Sequence, residues 1–269
     1  MQERHLDKEK YFNEQVITTQ KYVIPFLNEL MDINENTSVL EIGCGEAGNL
    51  KPFLNIGCKR VVGVDLSEHK VGKAKEFFST HPNKNNLELL VEDIYNVANT
   101  LGQFDLIIAR DVIEHIHGQE RFLKVVKNNL SPEGKFFLGF PPWYNPFGGH
   151  QQMCENKFLS KMPFFHILPI PLYRNILKIF GEKESRVNEL LEIKETGITI
   201  ERFEKILKKA GYKRDKRTFY LINPNYETKF GLKPKEQLKL LSTIPFLRNF
   251  YITANYYVIS NKNGLIKKG

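Results

Sequence analysis

Gly43, Gly45 and Gly48 stand in a G-x-G-x-x-G spacing directly after the apolar run Ser38–Ile42 and at the start of a helical pattern. A backbone without side chains can approach a ligand closely there. The spacing alone also serves dinucleotides, whose pyrophosphate rests on the helix N-terminus. Two carboxylates redirect the reading: Glu41 precedes the turn and Glu46 lies inside it. They repel a diphosphate and suit a ligand that carries an ammonium and a sulfonium, which favours S-adenosylmethionine over NAD(P). Asp65 ends Val61-Val62-Gly63-Val64-Asp65. It can accept hydrogen bonds from both hydroxyls of a ribose, or it can cap the helix that opens near Ser67. In Glu92-Asp93-Ile94, Asp93 can take the amino group of an adenine while Ile94 covers the ring, or the segment is an ordinary turn. Arg110-Asp111-Val112-Ile113-Glu114-His115 follows a fourth apolar run. Four acidic segments thus fall at the carboxyl ends of strands, the edge where open α/β sheets bind their ligands.

A second group of residues could serve an acceptor. His115 lies just past a strand end and is either a general base or a packed histidine, while His117 reads as surface. The segment Phe140 to Gln151 combines prolines, a glycine pair and aromatic and polar tips; within it Tyr144 and His150 are the polar candidates, unless the loop simply packs. If a base is used, His150 is placed first and His115 second, with Tyr144 positioning the acceptor. Cys44 fills space behind the turn.

These residues must be held by a sheet. Ser38–Ile42, Arg60–Val64, Leu87–Val91, Phe104–Ala109 and Gly134–Phe140 read as strands, with helices over Gly48–Leu54, Ser67–Ser79 and Gln119–Asn129 between them. Lys8–Met31 reads as one long helix kinked near Pro25. Beyond Phe140 the alternation stops, and the proline- and aromatic-rich residues 141–198 read as an irregular cap. Thr199–Ala210 then reads as a helix and Arg217–Ile222 and Phe250–Ser260 as strands, with residues 223–249 inserted. The expected architecture is an α/β, Rossmann-like, seven-stranded, mostly parallel sheet with an antiparallel last strand. Residues 1–269 would form a single domain, with residues 1–35 as an N-terminal helical segment.

The formal charge of +8 is scattered, with no Arg-rich run, so nucleic acid is not the expected partner. The three cysteines, Cys44, Cys58 and Cys154, lack CxxC spacing. Neither a disulfide framework nor a metal site is expected, and a reducing cytoplasm suits them. Phe158 to Phe180 is greasy with Lys161, Arg174 and Lys178 at its edges; it packs as a lid, or it admits a lipid-like acceptor or rests on a membrane.

Leu40-Glu41-Ile42-Gly43-Cys44-Gly45, Val64-Asp65, Glu92-Asp93 and Asp111-Val112-Ile113-Glu114-His115-Ile116 resemble motifs of the class I S-adenosylmethionine-dependent methyltransferases, the last of them being similar to the ubiquinone-biosynthesis branch. The resemblance spans residues 36–140; beyond that it is strand order only. It implies that Glu41, Gly43, Gly45 and Gly48 frame the methionine part of the cofactor. Asp65 with Leu66 would take the ribose, Asp93 with Ile94 the adenine, and the Arg110 backbone the methionine amine, while Tyr11 closes over the site. Transfer from a sulfonium is an in-line displacement that asks the protein mainly to align the partners and exclude water. The acceptor implied is a small molecule, lipid-like or glycan. A module that holds the cofactor without catalysis, and an NAD(P)-dependent oxidoreductase, are the alternatives.

Overall fold

A computed structural model describes residues 7–262 of the chain. The chain opens with α1 (Lys8–Thr18), a π turn over Thr19–Val23 and α2 (Ile24–Asn28). β1 (Ser38–Ile42), α3 (Lys51–Ile56), β2 (Arg60–Asp65), α4 (Glu68–Phe78), β3 (Leu87–Val91), α5 (Ile94–Leu101), β4 (Phe104–Arg110), α6 (Gln119–Val126) and β5 (Leu130–Phe140) then alternate. The remainder holds α7 (Ile170–Ile179), α8 (Glu184–Thr196), α9 (Ile200–Lys209), β6 (Tyr212–Ile222), α10 (Asn225–Phe230), β7 (Lys235–Glu236), α11 (Lys239–Thr243) and β8 (Ala254–Asn261).

The sheet order is β3-β2-β1-β4-β5-β8-β6-β7. The first five strands pair in parallel, and β8 runs antiparallel between β5 and β6. The sheet therefore has eight strands and not the seven expected, because the second insertion adds two-residue β7 to the edge of β6. Two strands are longer than their sequence pattern suggested. β6 begins at Tyr212, five residues early, because its Lys213–Arg217 run is charged and shows no alternation, yet its backbone pairs with β8 through a bulge at Arg214/Lys216. β5 begins at Leu130, with its own register shift opposite Phe104.

The N-terminal helix is continuous over residues 8–28, with its irregularity in a π turn just before Pro25. Pro25 has no N–H to give and its ring crowds the carbonyl of residue 21, so the chain widens into the π turn, in which the Ile24 amide donates to the Thr19 carbonyl five residues back. Residues 170–196, expected to be irregular, form α7 and α8. The prolines of the cap all precede Leu172, so nothing interrupts a helix beyond that point.

One face of the sheet packs on α5, α6 and α9 through residues such as Leu40, Phe104, Phe136 and Phe203; the other packs on the N-terminal helices, α3 and α4 through Val39, Phe26, Phe53 and Phe137. The cap has a separate core of Cys154, Leu159, Phe165, Tyr173, Leu177, Val187, Leu190 and Leu191. Burial of each such apolar side chain contributes ~2 kcal/mol to holding the cap's segments together. Its first loop is locked by His166, which is fully buried, donates from Nε2 to the Trp143 carbonyl at 2.8 Å and accepts on Nδ1 from Gln151 at 3.3 Å. Among the described residues no helix is long and apolar enough to cross a membrane.

Candidate active site

At the carboxyl edge of β1 the chain turns sharply, and the amides of Gly43 and Cys44 donate to the Val64 carbonyl at 2.8 and 3.2 Å. Gly43 has φ +70°, and a Cβ there would lie 2.5 Å from Val112 Cγ2, so no larger residue fits. Gly48 has a different reason to be glycine. Its Cβ would meet the Phe12 carbonyl of α1 at 2.5 Å, so α1 packs directly on this position.

Asp65 ties the turn to the next helix: Oδ2 accepts from the Gly45 amide and Oδ1 from the Ser67 amide, each at 2.8 Å. A carboxylate offers about four acceptor positions, so this capping leaves two for hydroxyl donors. Asp93 accepts from the Tyr95 amide at 2.9 Å as the N-cap of α5. Leu66 is 74% exposed beside Asp65, whereas Ile94 is buried in the core.

A cavity of about 130 Å³ opens between the glycine turn, α1, the end of β4 and α10. Both signs of charge line it: Glu46 and Asp111 against Lys70, Arg110 and Lys229, with Tyr11 from α1. A site with both signs fits an α-amino acid group better than a diphosphate. Lys8 reaches from α1 to the buried Glu46 at 2.9 Å, fastening the helix across the turn. Burial pushes the Tyr11 phenol well up, so it stays protonated.

Beneath the cavity lies a polar network that sequence reasoning missed. Arg110 donates through Nη1 to Asn49 Oδ1 at 2.6 Å and to Thr19 Oγ1 at 3.2 Å, and through Nη2 to Asn225 Oδ1 at 2.7 Å. Thr19 donates to Asn49 Oδ1 at 2.9 Å, and Asn49 donates to Glu41 Oε1 at 2.7 Å. Asn49 sits in a helical turn, Thr19 in the π turn and Asn225 in α10, and nothing in their local sequence marks them as neighbours.

Glu41 Oε2 is buried without a hydrogen-bond donor. Burial raises the carboxyl to about 8, against the opposing hydrogen bond from Asn49 and the charge of Arg110. A raised acid favours the fold while protonated, and that stability is lost as pH rises toward 8. Between pH 6 and pH 8 the protein should lose about 2 kcal/mol, or roughly 4–8 °C in Tm, that Glu41→Gln does not lose. Thermal melts of both proteins across that range check it; parallel curves would contradict it.

On the acceptor side the structure brings together residues 35 apart in sequence. The rings of His115 and His150 meet edge to face with centroids 4.9 Å apart. Glu114 lies with them, 3% exposed and with neither oxygen hydrogen-bonded. Burial and the nearby Asp111 hold Glu114 protonated. Burial, then the neighbouring His115 and His166, lower His150 to about 3. Burial also lowers His115, with Asp111 opposing. His150 and Asp111 both have positive φ, +53° and +54°, and such strain is typical of functional loops. One ligand atom from each of Glu114, His115 and His150 lies within 4.8 Å of the others, a donor set able to hold a cation that no sequence spacing reveals. Tyr144 stacks on Phe250, just past the second insertion, with centroids 5.1 Å apart.

A family model described as a methyltransferase domain matches residues 13–157, more than half of the chain. The chain belongs to this methyltransferase family. Its fold is that of the class I S-adenosylmethionine-dependent enzymes. The methyltransferase resembles the solved S-adenosylmethionine-dependent methyltransferase from Clostridium acetobutylicum, with a TM-score of 0.56 and 17% identity over 91% of each chain. It also resembles, with a TM-score of 0.53 and 14% identity, the magnesium protoporphyrin IX methyltransferase of Synechocystis, covering 90% of this chain and 81% of that one. Among curated proteins it is 30% identical over 106 residues to a ubiquinone biosynthesis O-methyltransferase of Bartonella tribocorum, spanning 39% of this chain and 41% of that protein. The mitochondrial protein of the same name from Dictyostelium discoideum is 26% identical over 113 residues, 39% of this chain and 35% of that one. The methyltransferase thus matches well under half the length of these relatives.

Proposed function

We propose that the protein methylates a hydroxyl group of a small, largely apolar acceptor held between the glycine turn and the cap. The observation that carries this is the His115–His150 pair with buried Glu114, at the sheet edge beside the cofactor cavity. Similarity to proteins named ubiquinone biosynthesis O-methyltransferases supports oxygen as the accepting atom and a lipid-like molecule over a glycan. In this reading the chain is one catalytic unit, in which residues 141–198 and 223–249 serve the acceptor. Its three buried free thiols support a reducing compartment such as the cytoplasm.

S-adenosylmethionine, when bound, supplies an electrophilic methyl group on a sulfonium. Asp65 and Asp93 would hold its ribose and adenine, with Leu66 against the nucleoside. Glu46, Asp111 and the backbone at Gly43 and Arg110 would face its ammonium, and Tyr11 would cover it. His115, kept neutral by burial, accepts the hydroxyl proton at a ring nitrogen. His150 is too weakly basic at about 3 to do so and orients the His115 ring. The cap excludes water, and Tyr144 forms part of its wall.

Methyl transfer to a panel of hydroxylated aromatic and isoprenoid acceptors, read as S-adenosylhomocysteine release, tests the assignment. His115→Ala should lower kcat about 10²–10³-fold with unchanged S-adenosylhomocysteine affinity, and His150→Ala should cost less. Because the His115 pKa is depressed, kcat/KM should rise through a value below the ordinary histidine range and stay flat above it. Unchanged turnover in His115→Ala removes it as the base. Tight cofactor binding with no turnover on any acceptor would make the chain a binding module.

A further inference from the structure

The cap and the second insertion each display a phenylalanine on a backbone that its side chain disfavours. Phe164 has φ +60° and is 38% exposed; Phe246 has φ +63° and ψ −50° and is 63% exposed. Phe246 is the centre of a γ-turn closed by the Leu247 amide on the Pro245 carbonyl at 2.7 Å. Bulky residues at positive φ are outliers, and such strain persists where the surroundings impose it, commonly at functional surfaces. The cap reaches the residue that follows the second insertion: the Phe250 ring lies 6.2 Å from that of Phe164 and stacks on Tyr144.

Cations outnumber carboxylates around these rings. Residues 156–181 contain Lys157, Lys161, Arg174 and Lys178 and no carboxylate, and Lys233, Lys235 and Lys239 are exposed, while Glu201 accepts from the Phe246 amide at 3.0 Å and is shared with Arg248. Lys178 alone of the first group is paired with a neighbouring acid, Glu184 at 2.9 Å. α7 turns Tyr173 and Leu177 inward and leaves Ile170, Leu172 and Ile179 exposed beside Arg174 and Lys178. Phe180 follows, stacked on exposed Phe158. An outward face that alternates aliphatic and aromatic side chains with cations matches the headgroup zone of a bilayer, where apolar groups dip below the phosphates and lysines stay among them. A nucleic acid would gain little from exposed isoleucine and leucine.

We propose that this face, formed by the cap around α7 and by the second insertion, docks on an anionic lipid bilayer. Cations near such a surface strengthen attachment by about fivefold each, and the apolar side chains add burial. Among the described residues no helix is able to span, so this face attaches to one leaflet and reversibly.

Cosedimentation of the full chain with vesicles tests this. Vesicles of phosphatidylcholine with phosphatidylglycerol should capture it at least about tenfold better than phosphatidylcholine alone, and about 0.5 M salt should abolish the difference. The double variant Phe164→Gly/Phe246→Gly should bind these vesicles about tenfold more weakly while its Tm is unchanged or higher, because glycine relaxes both positive φ angles. Arg174→Glu/Lys178→Glu should weaken capture without touching the backbone. S-adenosylhomocysteine affinity should be unaltered in every variant, which separates this docking from the cofactor site. Equal capture by both vesicles, no capture by either, wild-type capture by the glycine variant, or a fall in its Tm would each overturn the proposal. Capture of a single-stranded RNA oligonucleotide without capture of anionic vesicles would do the same.

Discussion

Replacing Asp65 by Ala is expected to weaken S-adenosylhomocysteine binding by about 10²–10³-fold while lowering stability by only ~1 kcal/mol. The asymmetry comes from what the carboxylate touches. Its two contacts within the protein are the amides of Gly45 and Ser67, and α4 keeps a second cap in the Ser67 hydroxyl, which accepts from the Lys70 amide at 3.4 Å. Loss of the Gly45 contact frees the turn that shapes the cavity, and loss of the charge removes the acceptor for two ribose hydroxyls. A hydrogen bond to a charged group is worth about 1.5–3 kcal/mol, so two of them near the lower end, about 3–4 kcal/mol together, account for the range. Asp65→Asn keeps one carbonyl acceptor and should fall between wild type and Ala. Titration calorimetry decides. A loss below about fivefold in the Ala variant, with the stability change as stated, would reduce Asp65 to a helix cap.

The glycine turn and the four strand ends were legible in the sequence because each is local: Gly43 needs positive φ, and Asp65 and Asp93 follow apolar runs that end where the structure ends β2 and β3. Gly48 has in addition a packing constraint that its local sequence does not show, since its neighbour is the Phe12 carbonyl of a helix that lies earlier in the chain. The charged half of β6 was missed because a strand that pairs through its backbone need not alternate. The polar network and the Glu114–His115–His150 group were out of reach for a different reason. Their members come from segments far apart in the chain, and the sheet order makes them neighbours: β4 lies beside β1 for Arg110 and Asn49, and beside β5 for the Glu114-His115 pair and His150.

That same sheet order gives Arg110 its weight. It ends β4 beside β1, and its guanidinium holds Asn49 and Thr19 on one side and Asn225 on the other. Three stretches of chain, the N-terminal π turn, the turn after β1 and α10, therefore share one cation. Arg110→Ala strips a donor from each of them and leaves Glu41 without the positive charge that opposes its burial. Removing one partner from such a charged network costs about 3–5 kcal/mol, which corresponds to a Tm roughly 6–20 °C lower. Arg110→Lys should recover little, because an ammonium cannot span Asn49 and Asn225 with the fork that the guanidinium provides. The damage should be spatially selective. Amide exchange should accelerate in α10 and around Thr19 before it does in the central strands, and cofactor affinity should fall with it because α1 and α10 wall the cavity. A Tm within about 2 °C of wild type, or protection lost uniformly across the sheet, would show that the three segments hold their places without Arg110.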